Sequence, residues 1–322
     1  MLRVQDLTVH FSQDGAEFPA VDEVTFDLGP GEVVGLLGES GCGKTTTALS
    51  ILALLPAGGR VVRGSVRFRG RELLSLDERR LQKIRGAEIS LIFQDPEIML
   101  NPVMRVGDQI AEVIRAHRPW SRRRCRAEAE SVLAQVCSSE TSRIYAAYPH
   151  ELSGGERQRV VIAQALACGP GLMIADEPTA ALDTIIQAEI LDLLKDLKDR
   201  LQIAILLISH NPAVLARLAD RLLVMYAGRI VEEGSLAQIY SNALHPYTRG
   251  LLRAIPPLPG KNSGINKQLL SIAGSSPDPA LLPQGCAFEP RCPEKMQTCA
   301  TRPPKEVQPE ALRRVRCFNY GG

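Results

Sequence analysis

Residues Gly38-Glu39-Ser40-Gly41-Cys42-Gly43-Lys44-Thr45 have the spacing of a loop built to hold phosphate. Glycines let successive backbone N–H groups curl around an anion, and a helix starting at the end of the loop adds its positive pole. In this pattern Lys44 reaches the terminal phosphates of a nucleotide and the Thr45 hydroxyl ligates magnesium, with Thr46 beside it. Cys42 needs only to be small enough to fit. A second chemical signal is Asp176-Glu177, which ends the apolar run Leu172-Met173-Ile174-Ala175. Adjacent carboxylates at the end of a buried strand suit a magnesium ligand, Asp176, and a base, Glu177, that polarises an attacking water. An apolar run ending in Asp-Glu is commonly just a strand reaching the surface. Beside a phosphate loop it points to hydrolysis of a nucleoside triphosphate.

Both signals need particular elements around them. Glu32-Val33-Val34-Gly35-Leu36-Leu37 reads as a buried strand entering the loop, and a helix over 45–55, stopped by Pro56, leaves it. That context argues against a chance glycine-rich turn. Two more buried strands, 172–175 and 203–208, flank an amphipathic helix over 185–197, and strands alternating with helices predict a parallel sheet. Residues 2–28 alternate apolar and polar around Asp14-Gly15 and read as short antiparallel strands. The stretch from about 97 to 165 is mostly helical in pattern, and after about Ile255 the sequence turns to Pro256-Pro257-Leu258-Pro259-Gly260 and loop-like texture. The expectation is an α/β fold. Residues 1–255 form a nucleotide-binding domain with a helical subdomain at about 97–165, and 256–322 form a small, irregular, cysteine-containing C-terminal domain.

Leu152-Ser153-Gly154-Gly155-Glu156 lies about twenty residues before the acidic pair and is followed by Arg157-Gln158-Arg159. Alone, Ser-Gly-Gly is an ordinary loop. With the other two motifs it resembles the signature of the ATP-binding cassette (ABC) family, and on that resemblance the chain is identified as a member. The resemblance implies an ABC-type P-loop ATPase with a mixed-sheet core, an antiparallel β subdomain and a helical subdomain, using ATP and Mg2+. It implies that Ser153, Gly154 and Gly155 make a second anion cradle facing a nucleotide held by a partner subunit. Gln94, after Ser90-Leu91-Ile92-Phe93, resembles the glutamine that joins the magnesium site, senses the γ-phosphate and links catalysis to the transmembrane subunits. Asp183, in Ala181-Leu182-Asp183, resembles the loop that communicates across the ATPase dimer. His210 resembles the switch histidine on the γ-phosphate, although a lone histidine there would otherwise read as structural. Phe11 resembles the aromatic that stacks on adenine, where tyrosine is commoner, with core packing as the alternative.

The resemblance extends beyond the motor. Phe93-Gln94-Asp95-Pro96, Leu100-Asn101-Pro102, His245-Pro246-Tyr247-Thr248 and Gly285-Cys286-Ala287-Phe288-Glu289-Pro290-Arg291-Cys292-Pro293 are similar to the oligopeptide, dipeptide and nickel importer ATPases. Ile174-Ala175-Asp176-Glu177-Pro178-Thr179 and the intact signature are more like the first, D-type, member of the paired ATPase subunits. Glu97-Ile98-Met99 departs from the small polar residues usual there, near the surface expected to meet the transmembrane partner. The implied role is the ATP-hydrolysing subunit of an importer for di- or oligopeptides, with nickel or another small solute, or a soluble non-transport ATPase, as alternatives. The implied partners are a second ABC ATPase subunit, two transmembrane permease subunits and an extracytoplasmic solute-binding protein. ATP binding closes the ATPase dimer and hydrolysis releases it. Among rivals, a repair ATPase would carry a long coiled coil, a translation factor two cassettes, and an inert module would lack Glu177 or His210.

Composition agrees with this. The 322 residues are 45% hydrophobic and 23% charged, enough to bury a core, and the formal net charge of +2 gives no footing for nucleic acid. The run Arg122, Arg123, Arg124, Arg126 reads as a solvated helix face. Met1-Leu2-Arg3-Val4-Gln5-Asp6 has no signal-peptide character and the apolar runs are strand-length, so the expected place is the cytoplasmic face of the inner membrane, held there by partners. Cys286, Cys292, Cys299 and Cys317 crowd into the last 37 residues, which in a reducing compartment points to metal before disulfide. Spacings of five, six and seventeen intervening residues lack the C-x-x-C pairs of structural zinc sites and favour iron. Some members of the resembling branch carry a four-iron four-sulfur (4Fe-4S) cluster here, and this is the expectation, with zinc, disulfides or unligated thiols as the alternatives.

Overall fold

The computed structural model describes residues 1–13, 15–137, 140–180, 182–254 and 272–321. Asp14 of the expected turn, Ala181 and the expected boundary at 255–260 lie outside the described residues. The chain divides into two compact units. The first holds Met1, Leu28–Val33 and Arg69–Ile208, and the second holds Leu2–Asp27, Val34–Phe68 and Ser209–Gly322.

The first unit contains three parallel strands, Ile89–Ile92, Leu172–Asp176 and Ala204–Ser209, with Ile92 beside Ala175 and Asp176 beside Ile208. The strands Leu172–Asp176 and Ala204–Ser209 are buried throughout, which is why they read as unbroken apolar runs rather than alternating ones. The expected helical stretch consists of Pro96–Met99, Val106–His117, Arg122–Val136, Thr141–Ala146 and Gly154–Leu166. The helix Thr184–Leu201 is longer than the apolar pattern over 185–197 suggests. Asp183 caps its start, and Lys198 and Arg200 in the last turn complement its negative pole. Ile190, Leu191, Leu194 and Leu197 form its buried stripe.

In the second unit, Leu2–Gln13 is the middle strand of an antiparallel sheet, between Ala16–Leu28 and Gly59–Phe68. The strands are long, not short. Their apolar alternation slips phase, buried at Leu2 and Val4 and then at Leu7 and Val9. The slip is a β-bulge: the register breaks between Gln5 and Thr8, Asp6 takes φ 48°, and a phase slip of one residue would otherwise turn every later side chain outward.

The second sheet of this unit is mixed. Val33–Leu37 pairs in parallel with Arg221–Tyr226, which pairs antiparallel with Arg229–Ser235. The tail then contributes Arg313–Val315 against Arg229–Ser235, and Val307–Glu310 against Arg313–Val315. The helix after the phosphate loop is Lys44–Ile51, four residues shorter than a stop at Pro56 suggests. It ends because Ala53 adopts φ 50° and closes a Schellman motif, with Ala53 N–H donating to the Ser50 carbonyl and Leu54 N–H to the Leu49 carbonyl.

Candidate functional site

The phosphate loop lies in the second unit. Val33–Leu37 is buried at every position and delivers the chain to Gly38. A Cβ on Gly38 would stand 2.4 Å from the Met225 carbonyl oxygen, and one on Gly43 2.5 Å from the Ala20 carbonyl oxygen, where the backbone also has φ 106°. Neither position admits a side chain. Lys44 is buried, and its Nζ donates to the carbonyls of Gly38 (2.8 Å) and Glu39 (2.9 Å). These two bonds curl the loop around the ammonium. Thr45 is exposed and Thr46 half-buried at the start of the helix, while Thr47 turns inward and bonds the Gly43 carbonyl at 2.9 Å. Burial pushes the Cys42 thiol up, so it stays protonated and acts as a small filler.

Glu39 is held from three sides. Its carboxylate accepts from Arg291 Nη1 (2.7 Å) and Nη2 (2.9 Å) and from Ser276 Oγ (2.9 Å), and its N–H donates to Tyr247 Oη (2.9 Å). The bonds from Arg291 hold the Glu39 carboxyl below the usual range in spite of partial burial. In the same unit Phe11 is half-buried and stacks on Phe18 with ring centroids 6.3 Å apart, and its ring lies against the backbone at Gly59. His210 is exposed and directly follows the strand Ala204–Ser209.

The first unit carries the acidic pair and the signature. Asp176 and Glu177 are 4% and 9% exposed. Glu177 takes φ 48°, a left-handed backbone that costs a non-glycine residue about 1 kcal/mol, and its N–H bonds the Ile208 carbonyl at 2.9 Å. Such strain gathers where a side chain must be aimed rather than merely packed. Gln94 is exposed just beyond Ile89–Ile92, so it and the acidic pair leave the carboxyl ends of neighbouring strands. Ligands of open α/β sheets bind at that end.

Ser153 is the N-cap of the helix Gly154–Leu166, in a capping box: Ser153 Oγ accepts from Glu156 N–H (3.3 Å) and Glu156 Oε2 from Ser153 N–H (2.8 Å). The hydroxyl accepts here and so keeps its own proton to donate. Arg143 pairs with Glu156 and anchors the box. A Cβ on Gly155 would meet Ile186 Cγ2 at 2.8 Å, so the signature glycine also lets the helix Thr184–Leu201 approach. Asp183 has a local duty that its resemblance did not indicate. Its Oδ1 accepts from the N–H groups of Ile185 and Ile186, both at 3.0 Å.

The four tail cysteines are thiols without disulfides, Cys299 buried and the others half-buried. Each lies within electrostatic reach of the other three, and burial pushes Cys286 up to about 11 and raises Cys292 and Cys317. The backbone N–H of Met296 donates to Cys299 Sγ at 3.4 Å. Among the described residues no group of three or more His, Cys, Asp or Glu side chains is arranged to hold a metal ion. A cavity of about 260 Å³ adjoins Cys286, Phe288 and His245, and the phosphate loop does not line it. Among the described residues no helix is long and apolar enough to cross a membrane.

Sequence comparison supplies the kinship. The family described as "ABC transporter" matches residues 21–180, and the one described as "Oligopeptide/dipeptide transporter, C-terminal region" matches 231–299. The chain is 45% identical to the oligopeptide transport ATP-binding protein AppD of Bacillus subtilis over 99% of its length and 97% of that protein's. It is also 45% identical to the oligopeptide transport ATP-binding protein OppD of Escherichia coli, over 99% of this chain and 93% of that one. The dimeric, ADP- and Pi-bound ATP-binding cassette MJ0796 superimposes with a TM-score of 0.66 at 28% identity, covering 73% of this chain and 99% of that one. On these grounds the chain belongs to the ABC transporter family, in the branch with the oligopeptide/dipeptide transporter C-terminal region.

Proposed function

We propose that this chain is the ATP-hydrolysing subunit of an importer for oligopeptides. One observation carries the reading. A chain matched end to end by oligopeptide transport ATP-binding proteins holds an intact phosphate loop, a buried Asp176-Glu177 pair and a Ser153-capped signature helix. In this reading the loop 38–43 and Lys44 hold the phosphates, Thr45, Gln94 and Asp176 serve the Mg2+, Glu177 polarises the attacking water, and His210 meets the γ-phosphate. Phe11 stacks on adenine. Ser153, Gly154, Gly155 and Asp183 serve the nucleotide of a partner ATPase subunit, so the isolated chain is a poor ATPase. Residues 1–255 are the motor and 256–322 the appended domain. Two permease subunits and an extracytoplasmic binding protein complete the complex at the cytoplasmic face of the membrane.

The test is uptake by the reconstituted complex in vesicles. ATP-dependent uptake of short peptides that is lost in the Glu177→Gln complex supports the reading. Uptake of nickel and not peptide assigns the same motor to a different cargo, and ATP turnover with no permease requirement contradicts a transport role.

We further infer that Cys286, Cys292, Cys299 and Cys317 ligate a 4Fe-4S cluster. Supporting this, the four thiols lie within electrostatic reach of one another, and Cys299 accepts a backbone N–H, a kind of bond that tunes cluster sulfur. Ligands to different corners of a cluster also need not converge on one ion, unlike those of zinc. Bound there, the cluster would staple a segment poor in apolar periodicity. Anaerobically purified protein that is brown, with roughly four iron atoms per chain, supports this. Colourless protein with zinc or no metal contradicts it.

A further inference from the structure

The signature motifs leave one strong interaction of the phosphate loop without a role. Glu39 puts a carboxylate inside a loop whose ligand is polyanionic, and Arg291, 252 positions later, meets it with two parallel N–H···O bonds of 2.7 and 2.9 Å. Such fork-to-fork pairs are the strongest and most directional of the charge-assisted bonds. Arg291 is itself held in place: its Nε donates to the Ala273 carbonyl (2.9 Å) and its guanidinium lies 5.9 Å from the centre of the Tyr226 ring. Three residues earlier Phe288, 2% exposed, wedges against Tyr226, Tyr247 and His245 at centroid separations of 5.2, 5.4 and 5.8 Å. Tyr247 in turn accepts the Glu39 N–H. Glu39 is therefore gripped by its side chain from the tail, through Arg291 and Ser276, and by its backbone from Tyr247, against which the tail's Phe288 packs.

We propose that Arg291 is a positioning residue for nucleotide binding, which neutralises Glu39 and fixes the phosphate loop from the C-terminal segment. Without it the Glu39 carboxylate stands unpaired beside the phosphates, and repulsion between like charges a few ångströms apart in a partly buried site opposes binding. Lys44, whose Nζ already bonds the Glu39 carbonyl, would be drawn between two anions. The effect falls on affinity and not on the chemical step, because Arg291 touches no reacting group. Arg291 also lies next to Cys292 and five positions after Cys286, so the state of the tail thiols is connected to the loop through one side chain. The proposal rests on reading the loop as the ATP phosphate site, which Lys44→Ala tests separately.

The experiment is steady-state ATP turnover and equilibrium ATP binding by the assembled transporter. Arg291→Met is expected to raise the KM and Kd for ATP about tenfold while kcat stays within about twofold. Adding Glu39→Gln to Arg291→Met is expected to recover most of the loss, because the offending charge is then gone. Glu39→Gln alone, which keeps Arg291 and its grip on the tail, is expected to bind ATP more tightly than wild type, since an uncompensated cation now faces the phosphates. An unchanged KM in Arg291→Met, a loss that Glu39→Gln does not recover, or weaker ATP binding by Glu39→Gln alone would each overturn the proposal. The last two would leave Arg291 a purely structural support of the tail. Should Arg291→Met not assemble, Glu39→Gln alone decides the matter.

Discussion

Arg313 Nη2 stands 3.3 Å from Glu232 Oε1, with 2% and 0% of the two side chains exposed. The Glu232 carboxylate also accepts the N–H groups of Leu244 (2.7 Å) and His245 (2.9 Å), so one buried anion joins the strand Arg229–Ser235, the tail strand Arg313–Val315 and the start of the helix Pro246–Arg253. Removing one partner of a buried pair strands the other charge. Arg313→Leu is therefore expected to cost about 3–5 kcal/mol in denaturant unfolding, and adding Glu232→Gln to recover part of it. A loss below about 1 kcal/mol contradicts this account of the junction.

His245 is buried, and burial, with the nearby charge of Arg249, depresses its pKa to about 3. Its Nδ1 accepts the Tyr247 N–H at 3.1 Å and caps the helix Pro246–Arg253, a duty that needs the unprotonated nitrogen. The folded pKa lies below the unfolded one near 6.5, so between about pH 6.5 and 3 the unfolded chain binds the extra proton. Stability contributed by this site is thus complete above pH 6.5 and falls as the pH drops, by up to about 1.4 kcal/mol per pH unit. His245→Asn, which keeps a capping acceptor but cannot titrate, is expected to flatten the acid limb of stability against pH. An unchanged slope contradicts the assignment.

Ser153 has two separable duties, the helix cap and the proposed donation to a partner's nucleotide. Ser153→Ala is expected to lose about 1 kcal/mol of stability together with turnover. Ser153→Asp restores a capping acceptor but turns a negative charge toward phosphate, so thermal stability returns and ATP turnover by the assembled complex stays low. Recovery of both in Ser153→Asp would show that only the cap matters.

Phe93, Ile98 and Val103 are large apolar side chains left 38%, 83% and 79% exposed around the short helix Pro96–Met99. Exposed apolar groups close together mark interaction surfaces. Ile98→Glu is expected to leave the unfolding midpoint of the isolated chain unchanged and to weaken its co-purification with the permease subunits. Undiminished assembly would place the docking surface elsewhere.

How much of this the sequence reveals depends on the distance over which each feature is encoded. The phosphate loop and Asp176-Glu177 are legible because residue type and spacing together define the chemistry. The bulge at Asp6 is also written locally, as the phase slip between Val4 and Leu7. Asp183 stands directly ahead of the helix it caps, so its local duty too is written in the sequence, as an N-cap signal. Ala53 is different. It takes a left-handed conformation where glycine is usual, and nothing in its side chain announces that the helix ends early. The left-handed backbone of Glu177 is equally silent in the sequence. The bonds from Arg291 to Glu39 and from Arg313 to Glu232 join positions 252 and 81 apart, which no local pattern encodes.

The central claim, that Glu177 drives ATP hydrolysis on phosphates held by Lys44, is tested most directly by measuring ATP binding and ATP turnover on the same assembled complex. Glu177→Gln is expected to bind ATP with wild-type affinity and to lose turnover by roughly a hundredfold or more, since it removes the proposed base and keeps Asp176, the proposed metal ligand. Lys44→Ala is expected to lose binding itself. Glu177→Gln complex that hydrolyses ATP at the wild-type rate would contradict the account.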